Sequence, residues 1–203
     1  MPKRYTFFSF HYQLDIWRAN QVRNSWRFRR EADRIDSGFF DGSLWEKSQR
    51  TNDNSLKALI RSGLDGTSAT CVLAGAKAYY RRWVRYEIAQ SVIRGNGLLT
   101  VHIDWLKDKD GNFCSKGPNP LDSIGVYKKQ DGRVYFAERN SAGAWVEYGD
   151  YTLSVDLPKN WAAPSATHVT PISNYCFEYC YVNGDGANNL ASWIDLAARN
   201  VGR

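Results

Sequence analysis

No stretch of the 203-residue chain holds the roughly 20 consecutive apolar residues that a membrane-spanning helix needs. Lys3 and Arg4 are followed by too short an apolar run for a secretory signal. Cysteine is sparse: Cys71, Cys114, Cys176 and Cys180, with no nearby histidine to complete a zinc spacing, so no metal site is expected. Reduced thiols without an export signal or an anchor predict a cytoplasmic protein. No zinc finger, RNP motif or basic tail accompanies the arginines. The net charge of +6 therefore reads first as solvated helix faces, next as attraction for an anionic small molecule such as a dinucleotide, and only third as nucleic-acid binding. No internal repeat and no low-complexity segment occurs, and no phosphate-binding loop follows the first apolar run.

What the chain does hold is an ordinary globular share of apolar residues, 43%, and a high aromatic share, 14%, with eight Trp. It is long enough to bury a core without staples. Arg4 to Phe10 reads as a buried strand, His11 to Gln13 as a tight loop, and about Ile16 to Phe28 as a helix with Asp15 near its start. Phe39 and Phe40 suggest a short second strand, and SLKALIRSGL from Ser55 a second helix. Ala69 to Ala76 and Leu98 to Leu106 are near-continuous apolar runs, the pattern of strands buried on both faces. Strand and helix alternate, which predicts an α/β fold with a parallel sheet flanked by helices. Ligands then sit beyond the carboxyl ends of the strands, which places His11, Asp41, Lys77 and Asp104 at or near one edge. Residues 1–125 form this unit. Residues 126–203 read as a C-terminal extension packed on it, with small antiparallel strands, a proline-bearing loop from Asn160 to Asn174 and a terminal helix from Ala187 to Asn200.

The stretch Tyr79 to Gly95, YYRRWVRYEIAQSVIRG, reads as one amphipathic helix with Tyr80, Trp83, Val84, Ile88, Ser91 and Val92 on a shared face. Glu87 interrupts that apolar stripe. A carboxylate there is costly unless it is paired or used. It is either bonded to a nearby arginine or backbone N–H, or it is a working carboxylate in a cleft beside an aromatic wall.

Three segments together carry a resemblance: FFSFHYQLDIWRANQVRN, SLKALIRSGLDGTSATCVLAG and YRRWVRYEI. In that order they resemble the TIR domain, specifically the TIR-like proteins of bacterial Thoeris anti-phage defence. WLKDKDGNFCSKGPNPLD is similar to a glycine- and proline-bearing loop of the same family. The resemblance covers about the first 125 residues. It implies a flavodoxin-like sheet and cleavage of NAD, with NAD as substrate and no separate cofactor. It also implies a catalytic Glu commonly four residues after a Trp, a spacing met by Trp83 and Glu87. The loop after the first strand, here Ser9, Phe10 and His11, is implied to contact the nucleotide, and Asp41 to Trp45 to close over the site.

The chemistry suits one carboxylate. Glycosidases usually need a pair because one acid protonates the leaving oxygen. Nicotinamide leaves NAD as a neutral molecule from a charged pyridinium, so no general acid is needed. Glu87 would stabilise the ribosyl oxocarbenium or hold the sugar hydroxyls. Trp83 offers a stacking surface, and Lys77 or an arginine could meet the pyrophosphate. The implied product is ADP-ribose, or a cyclic ADP-ribose isomer or an amino-acid conjugate of ADP-ribose that signals to a separate effector, with a phage-derived trigger and self-association as implied partners. The competing reading is a non-catalytic TIR interaction module, and a flavodoxin-like nucleotide binder comes third.

Overall fold

The two apolar runs at the middle of the sequence become the central strands of a computed structural model that describes residues 4–27, 37–38 and 52–203. In chain order the elements are β1 (Thr6–Phe10), α1 (Tyr12–Arg27), β2 (Ser37–Gly38), α2 (Asp53–Gly63), β3 (Ala69–Ala74), α3 (Arg82–Ile93), β4 (Gly97–His102), β5 (Ile124–Lys128), β6 (Val134–Arg139), β7 (Trp145–Glu147), β8 (Thr170–Pro171), β9 (Phe177–Cys180) and α4 (Gly186–Asn200). One sheet runs β2-β1-β3-β4-β9 with every pairing parallel. A second, antiparallel sheet runs β7-β6-β5-β8. The expected α/β class with a parallel, helix-flanked sheet is borne out.

Every residue of β3 and β4 is buried, because helices cover both faces of the sheet. On one face α1 and α4 set Ala19, Val22, Leu190 and Ile194 against Phe8, Cys71, Leu73, Leu99 and Val101. On the other, α3 packs Val84, Ile88 and Val92 against Val72 and Leu98, and the antiparallel sheet closes over it through Val126, Phe136 and Tyr148. Beside them α2 brings Leu56 and Ile60 to Phe7 and Tyr86. Its start is fixed by Asn52, whose side chain accepts from the Ser55 N–H at 2.8 Å. Gly97, the first residue of β4, lies directly under α4. A Cβ there would fall 2.1 Å from the Ala197 carbonyl oxygen.

Four expectations change. The stretch from Tyr79 to Gly95 is not one helix. Ala78–Tyr80 is a 3-10 turn, and Arg81 is extended (φ −75°, ψ 121°) before α3 begins. Buried Ala78 anchors the turn at the sheet edge, and the extended residue redirects the chain, so Tyr80 leaves the stripe and is 43% exposed. The first helix begins at Tyr12, immediately after His11, whose carbonyl accepts from the Leu14 and Asp15 N–H groups. The described second strand is Ser37–Gly38, paired with Thr6 and Phe7, while Phe39 and Phe40 lie outside the described residues. Phe177–Cys180, in the extension expected to hold small antiparallel strands, is instead a fifth parallel strand beside β4. Four residues carry too little periodicity to show this, and their pairing partner lies nearly 80 positions earlier.

Gly97→Ala is expected to lower stability by about 1–3 kcal/mol, because the obstacle is backbone that cannot rotate away. Gly149→Ala, where nothing lies within 4 Å of the added Cβ, is expected to change it little. Urea unfolding of the two variants beside wild type checks the pair.

Candidate active site

Side chains alternate across a strand, so β1 sends Phe7 and Ser9 to the α3 side and Phe8 to the α1 side. Parallel pairing sets Ser9 beside Val72, and Val72 beside Thr100. Above this row lies the middle of α3. Its position is fixed from below by a buried polar relay. The Thr70 and Ser91 hydroxyls are 2.7 Å apart, and Ser91 Oγ donates to the Glu87 carbonyl at 2.7 Å. Glu87 thus points its carboxyl at the carboxyl end of β1, where Ser9 Oγ donates to Oε2 at 2.5 Å. Both residues are buried, Glu87 at 6% exposure and Ser9 at 1%. Burial pushes the Glu87 carboxyl up to about 8, against the opposing pull of the Ser9 hydrogen bond.

No arginine neutralises this acid among the described contacts. Arg82 is held by Asp150 at 2.7–2.8 Å and by Asp53 at 2.6 Å. Arg85 pairs with Glu138 at 2.6 Å, and Arg94 reaches Asp65 and Gln90, each at 3.1 Å. Of the two readings of Glu87, pairing with a nearby arginine is excluded for these three. Its described side-chain partner is a neutral hydroxyl from another element.

The other expected residues fall in different places. His11 is buried at the end of β1. Burial lowers its affinity for a proton, Arg81 lowers it further, its own backbone bond opposes, and Lys77 adds a smaller push down. The charged form of His11 is thus disfavoured, and its Nδ1 has no described hydrogen-bond partner. Lys77 is exposed in the loop after β3. These three groups gather at the carboxyl edge beside β1. Trp83 is half-buried one turn before Glu87, edge-on to Tyr86 at 6.1 Å, with the Arg82 guanidinium 4.6 Å over its ring. Phe10 packs on the opposite side of the sheet from Glu87, against the α1 core, with its ring stacked on Tyr12. Asp41 and the stretch to Trp45 lie outside the described residues. Asp104 is buried after β4 with Oδ1 unpartnered among described residues.

A polar cluster at the ends of β4 and β9 was not singled out from the sequence. His102 Nε2 lies 2.8 Å from Glu178 Oε1, Asn119 Nδ2 donates to Glu178 Oε2 at 2.9 Å, and Thr100 Oγ1 donates to Asn119 Oδ1 at 2.7 Å. Burial disfavours the charged form of His102, partly offset by Glu178. The available signal was a histidine inside the apolar run LLTVHIDWL. A cavity of about 720 Å³ opens between the start of α3 and the β6–β7 turn, lined by Tyr79, Tyr80, Arg85, Asn119, Glu138 and Arg139. Glu87 does not line it. Among the described residues no His, Cys, Asp and Glu side chains are grouped to hold a metal ion, and no helix is long and apolar enough to cross a membrane.

The sequence model of the family described as Thoeris protein ThsB, TIR-like domain, matches residues 7–108, from β1 to the loop after β4. A Bacillus cereus (strain MSX-D12) protein named "Putative cyclic ADP-D-ribose synthase ThsB1" is 42% identical over 199 residues, which covers 96% of this chain and all of that protein. Its match therefore runs beyond the TIR-like segment, through the antiparallel sheet, β9 and α4. The chain belongs to the Thoeris ThsB family of TIR-like proteins.

Proposed function

We propose that the protein is an NAD-consuming enzyme that breaks the nicotinamide–ribose bond and yields a cyclic ADP-ribose signal for a separate effector in anti-phage defence. The observation that carries this reading is the buried Glu87 carboxyl, held by Ser9 and free of the three arginines around it, in a chain 42% identical to a protein named as a cyclic ADP-D-ribose synthase.

The reaction asks little proton chemistry of the protein. The C–N bond breaks with its electron pair going to the ring nitrogen, so the pyridinium leaves as neutral nicotinamide and a ribosyl oxocarbenium remains. An ionised carboxylate in a low-dielectric setting stabilises that cation far more than it would in water. Glu87 at rest is largely protonated at neutral pH, since its carboxyl titrates near 8. The cationic pyridinium lowers that value on arrival, because an opposite charge nearby favours the ionised form. Lys77 and Arg81, at the carboxyl edge beside His11, supply positive charge for the pyrophosphate. Trp83 borders the acid on its amino-terminal side, where a base could stack. A nucleophile of the bound ADP-ribosyl cation then attacks C1, one proton leaves to solvent as the ring closes, and exclusion of water as a competing nucleophile favours closure over hydrolysis. Asp41 to Trp45 would supply that exclusion. A phage-derived trigger and self-association complete the proposed cycle.

Two outcomes test the acid. Purified protein supplied with NAD is expected to release nicotinamide, and Glu87→Gln to reduce that release by roughly 10²-fold or more, as judged by chromatography of the products. An equal rate in the variant contradicts the proposal. The second outcome concerns stability. A carboxyl raised from 4.5 to about 8 leaves the folded state protonated where the unfolded chain is ionised. Its contribution is intact below pH 4.5 and is lost as pH rises through 8. Glu87→Gln is therefore expected to gain on wild type between about pH 5 and 8, by up to about 1.4 kcal/mol per pH unit, in denaturant unfolding at several pH values.

A further inference from the structure

A hydroxyl at 1% exposure has almost no surface to offer a nucleotide. Ser9 is so placed, and its Oγ is committed to Glu87 Oε2 at 2.5 Å. We propose that Ser9 is a positioning residue, whose hydroxyl fixes the Glu87 carboxyl in one orientation and supplies the donor that this carboxyl keeps once it is ionised. The inference rests on the reading of Glu87 as the acid that meets the substrate.

The surroundings leave this task to Ser9. A glutamate side chain has three rotatable bonds, and an apolar wall holds none of them in register with a sugar. The backbone of Glu87 is fixed by Ser91, whose hydroxyl donates to its carbonyl, and by Thr70 behind Ser91. Only the far end remains to be held. Ser9 is suited to it because it is paired with Val72 of β3, a fully buried strand, and so offers the hydroxyl from the backbone of the sheet. Among the described residues, the following charged groups on the elements around α3 have partners other than Glu87, while the buried Tyr148 hydroxyl that packs in the same core has none. On α2, Lys57 lies over the Tyr86 ring and pairs with Asp150, and Arg61 donates to the Tyr86 hydroxyl at 3.0 Å. On α3 itself Arg82 is bound to Asp53 and Asp150, and Arg85 to Glu138 of β6. His102 of β4 is bound to Glu178 of β9. At the end of β1, His11 responds to Arg81 and Lys77. Glu87 responds to burial and to Ser9. On ionisation the acid proton passes to solvent, and the Ser9 O–H donates to the carboxylate. No covalent bond forms or breaks in this step.

The test uses the full chain with Ser9→Ala, Ser9→Thr and Ser91→Ala. The Glu87 carboxyl carbon is followed by NMR across pH without NAD, its signal assigned by its absence in Glu87→Gln. In Ser9→Ala the titration midpoint is expected to rise by about one unit, and turnover at pH 7 to fall about tenfold and recover toward alkaline pH, with KM for NAD nearly unchanged. Ser9→Thr, which keeps a hydroxyl, is expected to restore the midpoint. Ser91→Ala loosens the helix without touching the carboxyl, and is expected to lower stability while the midpoint stays. An unmoved midpoint in Ser9→Ala overturns the proposal, as does unchanged turnover with an unchanged pH profile. A higher KM with kcat intact overturns it in favour of substrate contact. A wild type that leaves NAD uncleaved overturns the catalytic reading separately, because the midpoint is read without substrate.

Discussion

Burying a carboxyl costs more than a single neutral hydrogen bond returns, and the bond between Ser9 and Glu87 is where this chain carries that cost. Much of the structure can be understood as what keeps the pair in place. The parallel register fixes Ser9 at the end of β1. The relay from Thr70 through Ser91 holds the helix turn that bears Glu87. The antiparallel sheet closes the outer side of that helix through Val126, Phe136 and Tyr148. The neighbouring arginines are turned toward Asp53, Asp150, Glu138 and Asp65, so none of these four ion pairs quenches the acid. An acid kept poorly solvated and unpaired is a costly structural element, and a well-suited partner for a cation that forms during a reaction.

The extension contributes to this arrangement more directly than its sequence indicates. Its strand β9 joins the parallel sheet beside β4, and its helix α4 covers the face opposite the site, with the Ala197 carbonyl resting over Gly97. Arg82 and Arg85 are both neutralised by acids of the extension, Asp150 and Glu138. The surroundings of Glu87 therefore depend on residues far beyond the segment that the family model matches.

Where the hydrophobic pattern was long, the sequence was legible. The runs Ala69 to Ala76 and Leu98 to Leu106 announced buried parallel strands, and both became central strands. Glu87 stood out because a charge interrupted an apolar stripe, and it is indeed buried there. What could not be read was anything set by distant pairing. The partner of Glu87 is 78 positions away on another element, and its nature as a serine rather than an arginine follows from sheet register. The same holds for His102 and Glu178, and for the four-residue strand β9. Phe10 illustrates the opposite limit. It adjoins Ser9 in sequence, yet strand alternation sends its ring to the other side of the sheet.

The proposed activity requires the buried Glu87 to take part in breaking the nicotinamide–ribose bond. Mass spectrometry of the nucleotides formed from NAD, with wild type and Glu87→Gln side by side in lysate of phage-infected cells, tests it most directly. A cyclic ADP-ribose isomer, lighter than ADP-ribose by one water, is expected with wild type and none with the variant. The same nucleotide at the same level from both proteins would contradict a catalytic role for Glu87.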